Sequence, residues 1–206
     1  MNESGFWWIL LAIAGYGAIH SLLASFTVKN GFKRAFGAQV YSRYYRMFFS
    51  LQAVLLFLVP LAMVSTLPDV LIFRLPQPWA TLARIGQAAA IIGLLYAVML
   101  TGAMRFLGFS QALSPESAQS RLPLVERGLY RYVRHPIYTC TLLLIWLSPV
   151  QSWNGLALNL GMTAYLLIGA QFEERKLLAE FGEDYAAYRR KTPFLIPGWR
   201  PSPKLG

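Results

Sequence analysis

A single cysteine, Cys140, is the only thiol in 206 residues, so an intramolecular disulfide and a thiolate metal cluster are both excluded. The two histidines, His20 and His135, stand far apart, and no metal site is expected. Charge is scarce: 14% of residues are ionic, nine of them acids against 19 bases. No G-x-x-x-x-G-K-[ST] or H-E-x-x-H occurs, and no G-x-G-x-x-G follows a strand pattern. Soluble nucleotide-binding folds and zinc hydrolases therefore have no support.

What the chain has is apolar length. Hydrophobic residues make up 56% of it, far above an ordinary soluble domain. Five apolar stretches stand out: Phe6 to Phe26, Met47 to Thr66, Leu82 to Met104, Ile137 to Val150 and Trp153 to Phe172. Four reach or approach the ~20 residues that cross a bilayer as helix. The fourth covers only ~21 Å at ~1.5 Å per residue, so its end is recessed or the bilayer thins around it. The expected fold is an all-α polytopic membrane bundle of about five transmembrane helices. With no Lys or Arg ahead of the first run and no convincing small-x-small cleavage site after it, residues 6–26 are expected to be a retained span.

The net charge of +10 would suit nucleic acid, but its distribution argues against that partner. Five Lys or Arg lie between the first two spans, five between the third and fourth, and seven after Phe172. Only Arg74 and Arg84 fall on the other side. This positive-inside alternation places the N-terminus outside and the C-terminus in the cytoplasm. The expected location is a bacterial inner membrane, with the active side facing the cytoplasm. A three-span part, residues 1–104, precedes a second part, 105–206, made of a polar loop, a hairpin of spans over 136–172 and interfacial C-terminal helices.

The sharpest local signal is Arg131-Tyr132-Val133-Arg134-His135-Pro136 set against the apolar run from Ile137. Proline is tolerated in a first helical turn, where its missing N–H had no partner anyway, so Pro136 marks the start of a helix. His135 is thereby pushed toward extended backbone at the cap, beside the orphan amide donors of that helix. Interfacial anchoring alone would account for Tyr130, Arg131, Tyr132 and Arg134. It accounts poorly for His135-Pro136.

Only Gln151 and Ser152 separate the fourth and fifth spans after Ser148-Pro149, so a tight hairpin is expected to bring His135 and Tyr138 beside Glu173 and Glu174. Paired carboxylates at a helix C-terminus oppose the local dipole, and a cationic ligand would supply a reason for them. After Phe172, helical spacing runs to Gly182, and a short helix around Tyr185 to Lys191 ends before Pro193. The segment 105–134, with Ser114-Pro115-Glu116-Ser117 and Gly128, reads as a loop able to fold over a pocket. His20, ionisable within the first span, is either a functional group or a histidine satisfied by a neighbouring helix. Ala14 and Ala18, Ala89, Gly93 and Ala97, and Ala157 and Gly161 are expected to let helices approach closely.

Leu124-Val125, Gly128-Leu129-Tyr130, Arg134-His135-Pro136-Ile137-Tyr138, Glu173-Glu174 and Phe181-Gly182-Glu183-Asp184-Tyr185-Ala186-Ala187-Tyr188 together resemble the signature of the isoprenylcysteine carboxyl methyltransferase and phospholipid methyltransferase superfamily. The match covers about residues 120–195. The front half, with Ile19-His20-Ser21 and Tyr45-Arg46, is more loosely similar to the methanethiol S-methyltransferase and NnrU-like groups.

The resemblance implies an integral-membrane methyltransferase that uses S-adenosyl-L-methionine. It implies cofactor binding by Leu122, Pro123, Leu124, Val125, Tyr130, Arg134, His135, Pro136, Ile137, Tyr138 and Glu173. A neutral acceptor would need a base, for which His135 and Glu174 are the candidates. The acceptor would be a small or lipophilic molecule arriving from the lipid bilayer: a thiol, a lipid amine or a carboxylate. The alternatives are a non-catalytic membrane assembly factor of the same fold and a prenylcysteine-type carboxyl methyltransferase. The chain departs from the pattern at Cys140, where many relatives have glycine, and at Gly169, where prenylcysteine enzymes have an arginine.

Overall fold

The computed structural model describes residues 3–113 and 123–198. Among the described residues, four helices are long and apolar enough to cross a membrane: α1 (Phe6–Ala24), α3 (Ala38–Thr66), α4 (Trp79–Leu100) and α8 (Trp153–Phe181). Large apolar side chains such as Trp8 and Leu11 of α1, and Leu51 and Val54 of α3, face outward. That is the arrangement expected of a helical membrane bundle, whose solvent is hydrocarbon and whose backbone polar groups are satisfied within each helix.

The fourth apolar stretch behaves differently from the others. It forms α7 (Pro136–Trp146), 11 residues long and too short to cross a bilayer. The expected continuation to Val150 stops because Ser148 precedes Pro149, which disfavours helical backbone.

Two elements were not anticipated. Ser25 leaves α1 in an extended conformation and its Oγ accepts from the Val28 amide at 3.3 Å, capping a separate helix α2 (Phe26–Phe36). Gly37, at φ 85°, then turns the chain into α3. The second is a small antiparallel pair, β1 (Leu71–Arg74) with β2 (Val150–Ser152), which registers Leu71 with Ser152 and Arg74 with Val150. Hydropathy left Leu71–Arg74 between two spans and made Gln151 and Ser152 the connector of a hairpin, with Val150 at the end of a span. Asp69 Oδ1 accepts from the Asn154 backbone N–H at 3.0 Å, and the buried Asn154 side chain donates to the Pro68 carbonyl at 3.1 Å, joining the segment before β1 to the start of α8. Short helices α5 (Ala103–Phe106) and α6 (Phe109–Leu113) occupy the start of the segment expected to be a loop.

The described residues divide into two compact units. One takes Met1–Arg74, Gly102–Leu122 and Val150–Tyr165. In it a Cβ added at Gly161 would sit 2.7 Å from Ile13, and one at Gly17 would sit 3.2 Å from the Tyr165 ring. The packed face of α1 is thus Ile9, Ile13 and Gly17; Ala14 and Ala18, expected there, are exposed. His20 lies in this unit among Tyr16, Phe49 and Tyr165, with ring centroids 5.7, 4.4 and 6.0 Å away.

The other unit takes Leu75–Thr101, Pro123–Pro149 and Leu166–Gly206. Its centre is the packing of α4 on α7. Gly93 and the fully buried Ala97 fulfil the small-residue expectation, whereas Ala89 is exposed and Ala90 is buried in its place. A Cβ at Gly93 would meet Cys140 Sγ at 3.0 Å, so this pairing of glycine and thiol is already close. Gln87 Nε2 donates to the Leu144 carbonyl at 2.9 Å and locks the same interface. A 3₁₀ turn, Gly128–Arg131, rests on the far end of α4, where Gly128 has φ 62° against Leu100 and Tyr96.

Candidate active site

All of the site described here belongs to the second unit. Pro136 is the first residue of α7, and His135, at φ −122° and ψ 63°, is the residue before it, as the sequence order requires. The backbone N–H groups of Arg134 and His135 donate to the carbonyls of Pro193 and Phe194 at 2.8 and 3.3 Å. Thr139 Oγ1 donates to Leu195 O at 2.8 Å. The chain after α9 (Glu183–Lys191) is in this way strapped across the start of α7.

Glu174 is the hub. Its Oε1 accepts from Arg134 Nε at 2.8 Å, from the Tyr185 hydroxyl at 2.7 Å and, at 2.9 Å, faces His135 Nε2. Its Oε2 takes Arg134 Nη2 at 3.3 Å and Arg189 Nε at 3.2 Å. The side chain is 8% exposed. A buried carboxylate is costly unless paired and hydrogen-bonded, and this one is supplied with donors on both oxygens.

Glu173 differs sharply. It is 45% exposed and its Oε2 accepts from the Tyr138 hydroxyl at 2.7 Å, with His135 Nδ1 3.6 Å away. Successive residues on a helix point about 100° apart, so one acid turns inward and its neighbour stays accessible. Neither is at a helix terminus, because α8 continues to Phe181. The unfavourable dipole argument from the sequence therefore does not apply; the partners of the acids account for them instead.

The His135 and Tyr138 rings lie parallel, 5° apart in plane with centroids at 5.3 Å, and Phe194 meets His135 edge-on at 5.1 Å. Burial pulls the His135 pKa down, but its hydrogen bonds to Glu173 and Glu174 and their charges outweigh that, leaving it above the ordinary value of 6.5. Burial, and then the bond to Glu174, push the Tyr185 phenol up, so it remains a donor.

The structure brings together Arg134, His135, Pro136, Tyr138, Glu173 and Glu174. Tyr130 is tied to α9 through its carbonyl, which accepts from the Tyr188 hydroxyl at 2.6 Å. Pro123, Leu124 and Val125 lie in irregular chain leading to the 3₁₀ turn, and Ile137 is half-buried in the first turn of α7. Leu122 and the 114–117 segment lie outside the described residues. Arg134 is more engaged than expected: besides Glu174, its Nη1 donates to the Thr192 carbonyl at 2.6 Å. Sequence reasoning placed no role on Thr139, Tyr185, Tyr188 or Phe194. The three-residue spacing of Tyr185 and Tyr188, both buried on one face of α9, was the available signal.

Residues 30–192 match the family model described as "Protein of unknown function (DUF1295)". The chain belongs to that family. Among curated relatives of this DUF1295 protein is Methanethiol S-methyltransferase of Pseudomonas deceptionensis, 33% identical over 68% of this chain and 59% of the relative. Methanethiol S-methyltransferase 2 of Bradyrhizobium diazoefficiens is 48% identical over 39% of this chain and 30% of the relative. Protein-S-isoprenylcysteine O-methyltransferase of Schizosaccharomyces pombe is 29% identical over 52% and 53%. These relatives bear out the resemblance read from the motifs. In each case the match spans less than two thirds of the relative's own length. No solved structure matches.

Proposed function

We propose that this DUF1295 protein is an integral-membrane methyltransferase that takes its methyl group from S-adenosyl-L-methionine and delivers it to a small thiol. The observation that carries the reading is Glu173. It is an accessible carboxylate held by Tyr138 beside the stacked His135 and Tyr138 rings, at the start of α7. A carboxylate beside two aromatic rings suits a small organic cation. The names of the relatives support the same reading.

The residues fit such a cofactor. Glu173, Tyr138 and His135 would hold its cationic end, and the N-terminal turn of α7 with Pro136 and Ile137 offers backbone donors to a carboxylate. Leu122 to Val125 and Tyr130 would contribute the apolar side. Bound there, S-adenosylmethionine would supply an electrophilic methyl on a sulfonium.

The remaining work belongs to the protein. Arg134 and Tyr185 position Glu174, and Glu174 positions His135. Since Glu174 already receives four side chains, the proton of a neutral thiol would pass to His135 or Glu173 instead. Gly169, one turn before Glu173, has open space where a Cβ would project. No cation stands at that position for a substrate carboxylate, which favours a thiol over a prenylcysteine acceptor. The orientation expected from the basic loops would put this end of α8 in the cytoplasm of a bacterial inner membrane.

The test is transfer of labelled methyl from S-adenosylmethionine by the full chain in detergent, with methanethiol, a lipid amine and a prenylcysteine analogue offered in parallel. Labelled thioether with release of S-adenosylhomocysteine is expected from the thiol. Cofactor binding without release for any acceptor would sink the enzyme reading in favour of the assembly factor.

A further inference from the structure

A cleft of about 430 Å³ is lined by Arg134, Leu178, Ala186, Arg189, Arg190 and Phe194. Glu173, Tyr130 and Tyr138 are not among its lining residues. Its charge is unbalanced. Arg134 and Arg189 share one carboxylate, Glu174, while Arg190 pairs with Glu183 at 2.6 Å, so three guanidinium groups face two acids. Arg189 and Arg190 are substantially exposed, at 44% and 65% of their side chains. The remaining lining is apolar, with Phe194 under the Arg134 guanidinium at 5.5 Å.

Position narrows the ligand. The apolar part of α8 ends at Phe172, and Leu178 lies six residues on, about 9 Å along the helix. The polar headgroup layer on each side of a bilayer is roughly 5–8 Å deep. A groove just past the outer limit of that layer, lined by guanidinium and apolar side chains together, matches a molecule with an anionic phosphate next to acyl carbon. We propose that this cleft binds the headgroup of an anionic phospholipid and so seats α9 on the membrane surface. The exposed guanidinium groups of Arg189 and Arg190 suit phosphate oxygens, and Leu178, Ala186 and Phe194 suit the glycerol and first methylenes. The proposal is independent of the methyl-transfer reading.

Native mass spectrometry of the full chain in detergent, given equal phosphatidylglycerol and phosphatidylcholine, tests it. Preferential retention of phosphatidylglycerol is expected. Arg190→Gln should reduce that retention about fivefold, the usual worth of one surface arginine at an anionic membrane. Leu178→Glu, which sets a carboxylate in the cleft, should reduce it further. Equal retention of the two lipids by the unmodified protein would overturn the proposal, and this comparison needs no variant to fold. So would unchanged retention in both variants, once their helicity is shown to be intact. Displacement of the lipid by equimolar inorganic phosphate would also overturn it, by showing a site for a soluble anion.

Discussion

His135 and Glu174 stand 39 positions apart, yet Nε2 of the first and Oε1 of the second are 2.9 Å from one another. The acid next to Glu174 in sequence, Glu173, instead reaches Tyr138 and remains accessible. One carboxylate therefore builds the site, and the other is presented by it.

That division predicts opposite phenotypes. Glu174→Ala strips the partner from buried Arg134 and His135 and should cost about 3–5 kcal/mol of stability, the usual result of breaking a buried ion pair. Glu173→Gln should leave stability within about 0.5 kcal/mol, as for most surface changes, but abolish S-adenosylmethionine binding. Thermal unfolding followed by helicity, with a binding titration beside it, distinguishes the two. Similar melting for both variants would dismiss the hub role of Glu174.

The His135 shift carries a pH dependence of defined sign. A histidine whose folded pKa lies above its unfolded value of 6.5 contributes stability fully present below that value. The contribution is lost as pH rises through the raised folded value. The melting temperature should therefore fall from pH 6 toward alkaline conditions in the wild type, and this component should vanish in His135→Gln. A pH profile unaltered by the substitution would refute the assignment.

Tyr188→Phe removes the donor to the Tyr130 carbonyl and should cost roughly 1 kcal/mol, the net worth of an ordinary hydrogen bond. Its distinctive readout is local. Amide exchange should quicken over residues 128–133, where the 3₁₀ turn is tied to α9, and remain unchanged in α1. Protection equal to wild type across that turn would count against the tie.

Gly128 and Gly182 separate strain from collision. Both have positive φ, 62° and 57°. A Cβ at Gly182 meets nothing within 4 Å, while one at Gly128 would lie 2.5 Å from Leu100 Cδ1 and 3.0 Å from the Tyr96 hydroxyl. Gly182→Ala should thus cost only the backbone strain of a side chain held at φ 57° and ψ −125°, about 1–3 kcal/mol. Gly128→Ala should cost visibly more, because α4 must also move. Equal losses in melting temperature would contradict this.

Much of the architecture was legible because hydrocarbon is an undemanding solvent. Any run of about 20 apolar residues becomes a helix there, since no other single segment satisfies its own backbone. That logic located α1, α3, α4 and α8. Pro136 marked the start of α7 and Gly182 the break before α9, because each imposes a local backbone constraint. The same logic overlooked α2 and the β1–β2 pair, whose formation depends on a cap at Ser25 and on strands about 80 residues apart.

By itself, then, the sequence determined an apolar helical chain, its breakpoints and the set of residues with chemical capacity, because those follow from composition and from neighbours along the backbone. Tertiary structure alone decided which of two adjacent acids is buried, which arginine is consumed in holding it, and that Phe194 meets the histidine edge-on while Tyr185 donates to Glu174. Those outcomes depend on helix rotation and on contacts between distant segments, and no periodicity in the sequence records either.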